Sequence, residues 1–306
     1  MNLHLSRAIT EAIESNVILY FGDLGRAWLR GLPEVLSEAK RKWNLQLLDL
    51  FPDLSINAVL PALREDGTAV VLKAGVPSRE IELEVEALQF FAGEGSARLL
   101  DADLPNGLIL LKRILPGTSA LQSNDDDQAV EAFVEVSRRL QCRPPHDHNF
   151  PTLQNWFEGF ATYRQRCNGG SGLLPPQLFS RAEEIATELL SSTEEQVLLH
   201  GDLHHGNLLF STEQSWVGID PKGVVGDPLF EVAPFLRNPM PRLLEVETKK
   251  VLRRRLEIIN EHLSYDIERM IQWGIAESIL SAIWEVDDVG EGWRRGVQVA
   301  EVLVGL

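Results

Sequence analysis

The sequence predicts an α+β protein in two lobes, a small β-rich part over residues 1–115 and a larger, mostly helical part over residues 116–306. Three observations carry this reading. Short apolar runs of strand length crowd the stretch from Leu45 to Ile114, with Asp-Gly turn chemistry between two of them. After Leu115-Pro116-Gly117 the texture changes to long segments with helical apolar spacing. At 306 residues the chain is long enough to give each part its own core.

The elements follow in order. Trp28, Leu32, Val35 and Leu36 make a helical stripe that closes on Lys40-Arg41-Lys42, so the N-terminal segment reads as helix. Leu45–Phe51, Ile56–Leu63 and Ala69–Ala74 read as strands, the last two joined through Asp66-Gly67 as a hairpin. Pro61 lacks an amide proton and suggests an edge strand or a bulge. From Ser78 to Phe91 the Glu-rich alternation suits a strand, yet Ile81, Val85, Leu88 and Ala92 share a helical stripe and Gly93 offers a stop. The helix is preferred because the segment is too long for a strand. Leu108–Ile114 is a buried strand. Helices are expected over Asp127–Gln141, Leu153–Arg166, Pro176–Ser191, Leu243–Leu263 and Ile267–Trp284.

Composition excludes several classes of partner. Forty-five acidic against 29 basic residues give a net charge of −16, a field that repels nucleic acid and anionic lipid and favours cationic ligands. No apolar run reaches the length of a membrane span, and Arg7, Glu11 and Glu14 interrupt the first segment where a secretory signal would be apolar. Cys142 and Cys167 form no motif and read as reduced thiols. A cytoplasmic protein with no evident protein partner is expected.

The chemistry concentrates in Val197-Leu-Leu-His-Gly-Asp-Leu-His-His-Gly-Asn207, with Asp220 closing the next apolar run, Val217-Gly-Ile-Asp. One carboxylate, Asp202, can meet an acceptor hydroxyl, while Asn207 and Asp220 supply neutral and anionic oxygens of the kind hard Mg²⁺ accepts. This suits transfer of a phosphoryl group to a small molecule. Lys73 ends an apolar strand, either as a solvated strand end or as a phosphate-binding cation held by a carboxylate of the next helix. Glu84 borders the apolar stripe of that helix and is the preferred partner, with Glu80 second. His200 reads as a structural brace, whereas His204 and His205 are close enough in sequence to approach the acceptor. Glu285, Asp287, Asp288 and Glu291, beside Trp284 and Trp293, form either a solvated loop or a rim for an amine- or guanidine-bearing substrate. Asp227 before Pro228, and Asp125-Asp126-Asp127, read as helix N-terminal residues.

Taken together these pieces resemble the aminoglycoside phosphotransferase family, and within it the streptomycin 6-kinase and hydroxyurea phosphotransferase branch. The finer match rests on Trp28-Leu-Arg-Gly-Leu-Pro33 with Trp43, Val71-Leu-Lys-Ala-Gly75, the His200–Asn207 loop, Ile219-Asp-Pro-Lys-Gly-Val-Val-Gly-Asp-Pro228, and Ile283-Trp284. The resemblance implies a bilobal protein-kinase-like fold using ATP and Mg²⁺. It implies that Asp202 is the catalytic carboxylate, that Asn207 and Asp220 bind Mg²⁺, and that Lys73 with Glu84 holds the ATP phosphates. Backbone near Lys112 to Ile114 would meet the adenine. The acceptor would be a hydroxyl of a small, cationic molecule, with His205, Glu285 and Asp288 as candidate contacts. Two departures stand out: no Gly-x-Gly-x-x-Gly precedes Lys73, leaving Asp53–Asn57 to cover the phosphates, and position 112 is Lys where relatives often carry an acid.

Two other classes compete. A metal-dependent hydrolase could draw Zn²⁺ ligands from His200, Asp202, His204 and His205, with His146 and His148 in support, but leaves Lys73, Asn207 and Asp220 unexplained. A non-catalytic nucleotide-binding module would have lost the catalytic Asp or a metal ligand, and this chain retains both.

Overall fold

The computed structural model describes residues 3–48, 51, 55–288 and 292–306, with the side chains of residues 3–10, 12, 287 and 288 outside that description. The chain divides into two compact units, residues 1–93 with 97–114 and residues 94–96 with 115–306. Among the described residues, no helix is long and apolar enough to cross a membrane.

The first unit opens with α1 (Leu3–Lys42), which is interrupted at Gly22, whose φ of 54° and ψ of −126° lie outside the helical region. Then come β1 (Leu45–Leu47), β2 (Ala58–Arg64), β3 (Ala69–Ala74), α2 (Arg79–Phe91), β4 (Leu99–Asp103) and β5 (Leu108–Lys112). The strands form one antiparallel sheet in the order β1-β2-β3-β5-β4. Leu60, Leu72 and Leu110 lie side by side across three strands and are fully buried with Leu32 and Leu36 of α1. Side chains alternate along a strand, so Lys73 faces away from this leucine row. The β2–β3 hairpin turns at Asp66-Gly67, with Gly67 at φ 83° and the Thr68 amide donating to Asp66 Oδ1.

Several expectations need correction here. The strand expected over Leu45–Phe51 ends at Leu47, and residues 49, 50, 53 and 54 lie outside the described residues. Pro61 does not mark an edge strand, because β2 lies between β1 and β3. Its carbonyl accepts from the Leu48 amide, so its proton-less nitrogen also faces the β1 side, where the partner strand has just ended. The stretch from Ser78 is a helix, capped by the Ser78 side chain on the Ile81 amide. Its left-handed C-cap is Ala92 at φ 51°, one residue before Gly93.

The second unit begins with β6 (Pro116–Ser119), α3 (Asp126–Leu140), α4 (Leu153–Arg166) and α5 (Pro176–Ser191). Three short strands follow, β7 (Val197–Leu199), β8 (Leu208–Ser211) and β9 (Ser215–Gly218), then β10 (Val224–Gly226). α6 (Val232–Arg237), α7 (Thr248–Leu263), α8 (Ile267–Asp288) and α9 (Trp293–Val304) complete it. β6-β8-β9 and β7-β10 make two small antiparallel sheets. α8 is the central helix, and its buried Trp273 packs against the rings of Phe157 and Phe230. The single helix expected over Leu243–Leu263 is two pieces, a 3₁₀ turn at Arg242–Glu245 and α7. Extended Val246 separates them, and the Thr248 hydroxyl donates to the Leu243 carbonyl.

Candidate active site

The loop after β7 is shaped by its own backbone. Gly201 sits at φ 80°, and a Cβ there would come within 2.9 Å of Trp156 and Val224, so only glycine fits both the turn and the space. Asp202 follows, its side chain partly exposed at 29%. Asn207 Nδ2 donates to the Asp202 carbonyl at 2.9 Å and lies 3.5 Å from Asp202 Oδ2. That bond fixes which way the amide faces and turns its oxygen away from the Asp202 carbonyl.

Asp220 is brought to this loop by its neighbours. His200 Nε2 donates to the Ile219 carbonyl at 2.8 Å, and the His200 carbonyl accepts from the Lys222 amide at 2.7 Å. The Ile219 amide donates to the Asn207 carbonyl at 2.9 Å. Asp220 thus stands between two anchored residues, in a left-handed conformation at φ 60°. Asp tolerates that region better than most side chains. An amide oxygen and a carboxylate on adjoining loops are donor types that would suit a hard cation such as Mg²⁺.

The histidines do not converge. His200 is buried, accepts from the Asp202 amide through Nδ1, and burial lowers its pKa to about 4, so it is a neutral brace. His204 Nδ1 accepts from the Gly206 amide, while its Nε2 stands 3.7 Å from Asp202 Oδ1. His205 turns the opposite way and is 3% exposed, stacked on Phe235 at 4.2 Å. Burial lowers its pKa to about 4 as well. His205, a candidate acceptor contact, is thus almost wholly buried, at the edge of a cavity it shares with Asp126 and Arg242. His146 is fully exposed and His148 stacks near Phe150. Among the described residues no three His, Cys, Asp or Glu side chains gather as a Zn²⁺ site requires.

Two functional-looking residues escaped the sequence reading. Glu231 is buried, and its carboxylate accepts from the His200 amide at 2.7 Å and the Gly201 amide at 3.0 Å. Burial raises its pKa to about 7 against these bonds and one from the Leu203 amide. Arg237 forks onto Glu277 of α8, with Nε and Nη2 both 3.0 Å from its oxygens. Burial opposes the Arg237 charge, but Glu277, with Asp202 and Glu285, holds its pKa above the ordinary value. Two charges in the apolar run Leu229–Leu236 and its end were the available signal, since a charge there must be partnered. Asp227, expected only to cap a helix, does cap Leu229 and also accepts from Trp273 Nε1 and Arg269.

Glu285 lies on α8, half-buried, and burial raises its pKa while Arg237 and Arg295 pull it down. Asp288 ends α8 with its side chain outside the described residues, and Glu291 lies outside them altogether.

In the first unit, Lys73 Nζ stands 2.8 Å from both carboxylate oxygens of Glu84, with the two side chains 5% and 10% exposed. The Lys112 amide donates to the Arg98 carbonyl and the Arg113 amide to Ala69, so both serve the sheet. Of the three positions, only Ile114 lies beyond that bonding.

The sequence matches the model of the aminoglycoside/hydroxyurea antibiotic resistance kinase family over residues 42–290. It is 32% identical over 273 residues to a streptomycin 6-kinase of Streptomyces griseus, covering 87% of each chain. It is also 32% identical to a hydroxyurea phosphotransferase of Kitasatospora aureofaciens, over 94% of this chain and 83% of the relative. Among solved structures, an aminoglycoside phosphotransferase in ternary complex with ADP and hygromycin B aligns with a TM-score of 0.61 at 12% identity. That alignment covers 87% of this chain and 97% of the other, and gives the fold as protein-kinase-like. With Asp202, Asn207 and Asp220 gathered on adjoining loops of such a fold, the chain belongs to the aminoglycoside/hydroxyurea antibiotic resistance kinase family.

Proposed function

We propose that the protein moves the γ-phosphoryl group of ATP to a hydroxyl of a small cationic molecule of the aminoglycoside kind, in the cytoplasm. The observation that carries this is the Asn207 amide bonded to Asp202, with Asp220 anchored beside it by His200. Asp202 orients the attacking hydroxyl and accepts its proton late, because a loose phosphoryl transition state depends on positioning more than on a strong base. Asn207 and Asp220 hold Mg²⁺, which neutralises charge developing on the phosphates when bound. Lys73, oriented by Glu84, contacts the nucleotide phosphates, and backbone at Ile114, two residues after Lys112, meets the adenine.

The net charge of −16 supports a cationic acceptor, and Glu285, which shares Arg237 with Asp202 as a charged neighbour, would orient one. The names of the relatives support the same chemical class. The test is mass spectrometry of streptomycin, other aminoglycosides, hydroxyurea and amino sugars after incubation with enzyme, ATP and Mg²⁺. One of them gaining a phosphoryl group supports the reading. Nucleotide bound but every compound unmodified would contradict the acceptor class.

A further inference from the structure

Arg255 of α7 is 1% exposed and directs all five of its N–H donors at acceptors. Nε and Nη2 fork onto Asp126 at 2.8 and 2.6 Å. Nη1 donates to the carbonyls of Phe235 at 3.0 Å and Asn238 at 2.6 Å. The remaining Nη2 proton faces His205 Nε2 at 3.2 Å. A guanidinium cannot accept, so in this contact His205 accepts through Nε2, from which Asp126 Oδ1 also lies 3.7 Å away. The His205 carbonyl is held in turn by the Ser119 hydroxyl at 3.0 Å, and its ring lies flat on Phe235, 7° from parallel.

His205 begins the 3₁₀ turn that ends at Asn207. The loop is therefore gripped at both ends. Glu231 holds the amides of His200 and Gly201 before Asp202, and Arg255 with Asp126 holds His205 after it. An apolar side chain could fill the same volume without stripping water from a charge. A planar fork aimed at five acceptors instead fixes one geometry, which a lysine could not reproduce.

We propose that Arg255 and Asp126 are positioning residues that act through His205 to set the direction in which Asn207 presents its oxygen. The proposal rests on the reading of Asn207 as a Mg²⁺ ligand. It adds a support reaching the loop from α3 and α7, neither of which carries a residue assigned to the reaction.

The test uses full-length protein with His205→Phe, which keeps a ring on Phe235 and removes the acceptor for Arg255, beside Asp126→Asn and Arg255→Met. Hydrogen exchange is read without metal or nucleotide, and then the Mg²⁺ concentration for half-maximal turnover. Amide exchange in residues 203–208 should rise with exchange elsewhere unchanged, and half-activation should need about tenfold more Mg²⁺, as for loss of an outer-shell partner. Arg255→Met should add little in the His205→Phe background, because both cut one link. Exchange rising evenly along the chain, with Mg²⁺ half-activation unchanged, would reduce Arg255 to a packing role and overturn the proposal. Should Arg255→Met not fold, His205→Phe decides alone. Asn207→Ala distinguishes the two readings: if it leaves Mg²⁺ dependence intact, the ligand assignment fails, and loop exchange still reports whether the grip exists.

Discussion

Lys73 and Glu84 form a bidentate ion pair in the first unit, each nitrogen–oxygen distance 2.8 Å, closed off from water on both sides. Breaking a buried ion pair by removing one partner costs about 3–5 kcal/mol. Lys73→Met should therefore lower the urea midpoint and weaken ATP binding. Lys73→Met with Glu84→Gln should recover much of the stability and none of the affinity, read by denaturation and calorimetry. Wild-type ATP affinity in the double variant would remove Lys73 from the nucleotide site.

Glu231 gives the fold a pH dependence of unusual sign for a carboxylate. Its pKa is about 7 in the folded chain against an ordinary 4.5, so the native state holds a proton that the unfolded state has released. Stability from this group is complete below pH 4.5 and falls as pH rises towards 7, by about 3 kcal/mol in all. Glu231→Gln cannot titrate. The margin of wild type over Glu231→Gln in urea unfolding should be largest near pH 5 and shrink by about pH 8. A margin constant or growing with pH would mean the three amides, not burial, govern the group.

Glu285 should affect the acceptor and not the nucleotide. Glu285→Gln is expected to raise KM for a cationic acceptor by up to about fivefold, the scale of a partly exposed ion pair, with KM for ATP unchanged. Burial raises the Glu285 pKa, so its charge is lost earlier than usual as pH falls. In wild type, KM for the acceptor should climb on acidification, and in the variant that component should vanish. A matched rise in KM for ATP would place Glu285 elsewhere in the reaction.

What the sequence could reveal was set by distance along the chain. Asp66-Gly67 and the Ile81/Val85/Leu88 stripe are local signals, and each gave an element at or near its place. The split before α7 was less legible because Leu243 and Leu244 continue its apolar spacing, while the break comes from Val246 turning extended. Asp202 and Asn207 stood out in the sequence because both lie in one short Gly-rich loop, while the bond between them came only with the structure. Glu231 and Arg255 did not, since they meet the loop from 31 and 50 residues away. The stacking of His205 on Phe235, thirty residues downstream, was likewise out of reach of a local reading.

The most direct test of the central claim is steady-state ADP production by Asp202→Ala with ATP, Mg²⁺ and an acceptor that wild type phosphorylates, together with ATP titration of both proteins. Loss of hydroxyl positioning and proton acceptance together should cut kcat by about a hundredfold or more while ATP affinity stays within about twofold. Turnover close to wild type, with ATP bound normally, would contradict Asp202 as the catalytic carboxylate and with it the proposed mechanism.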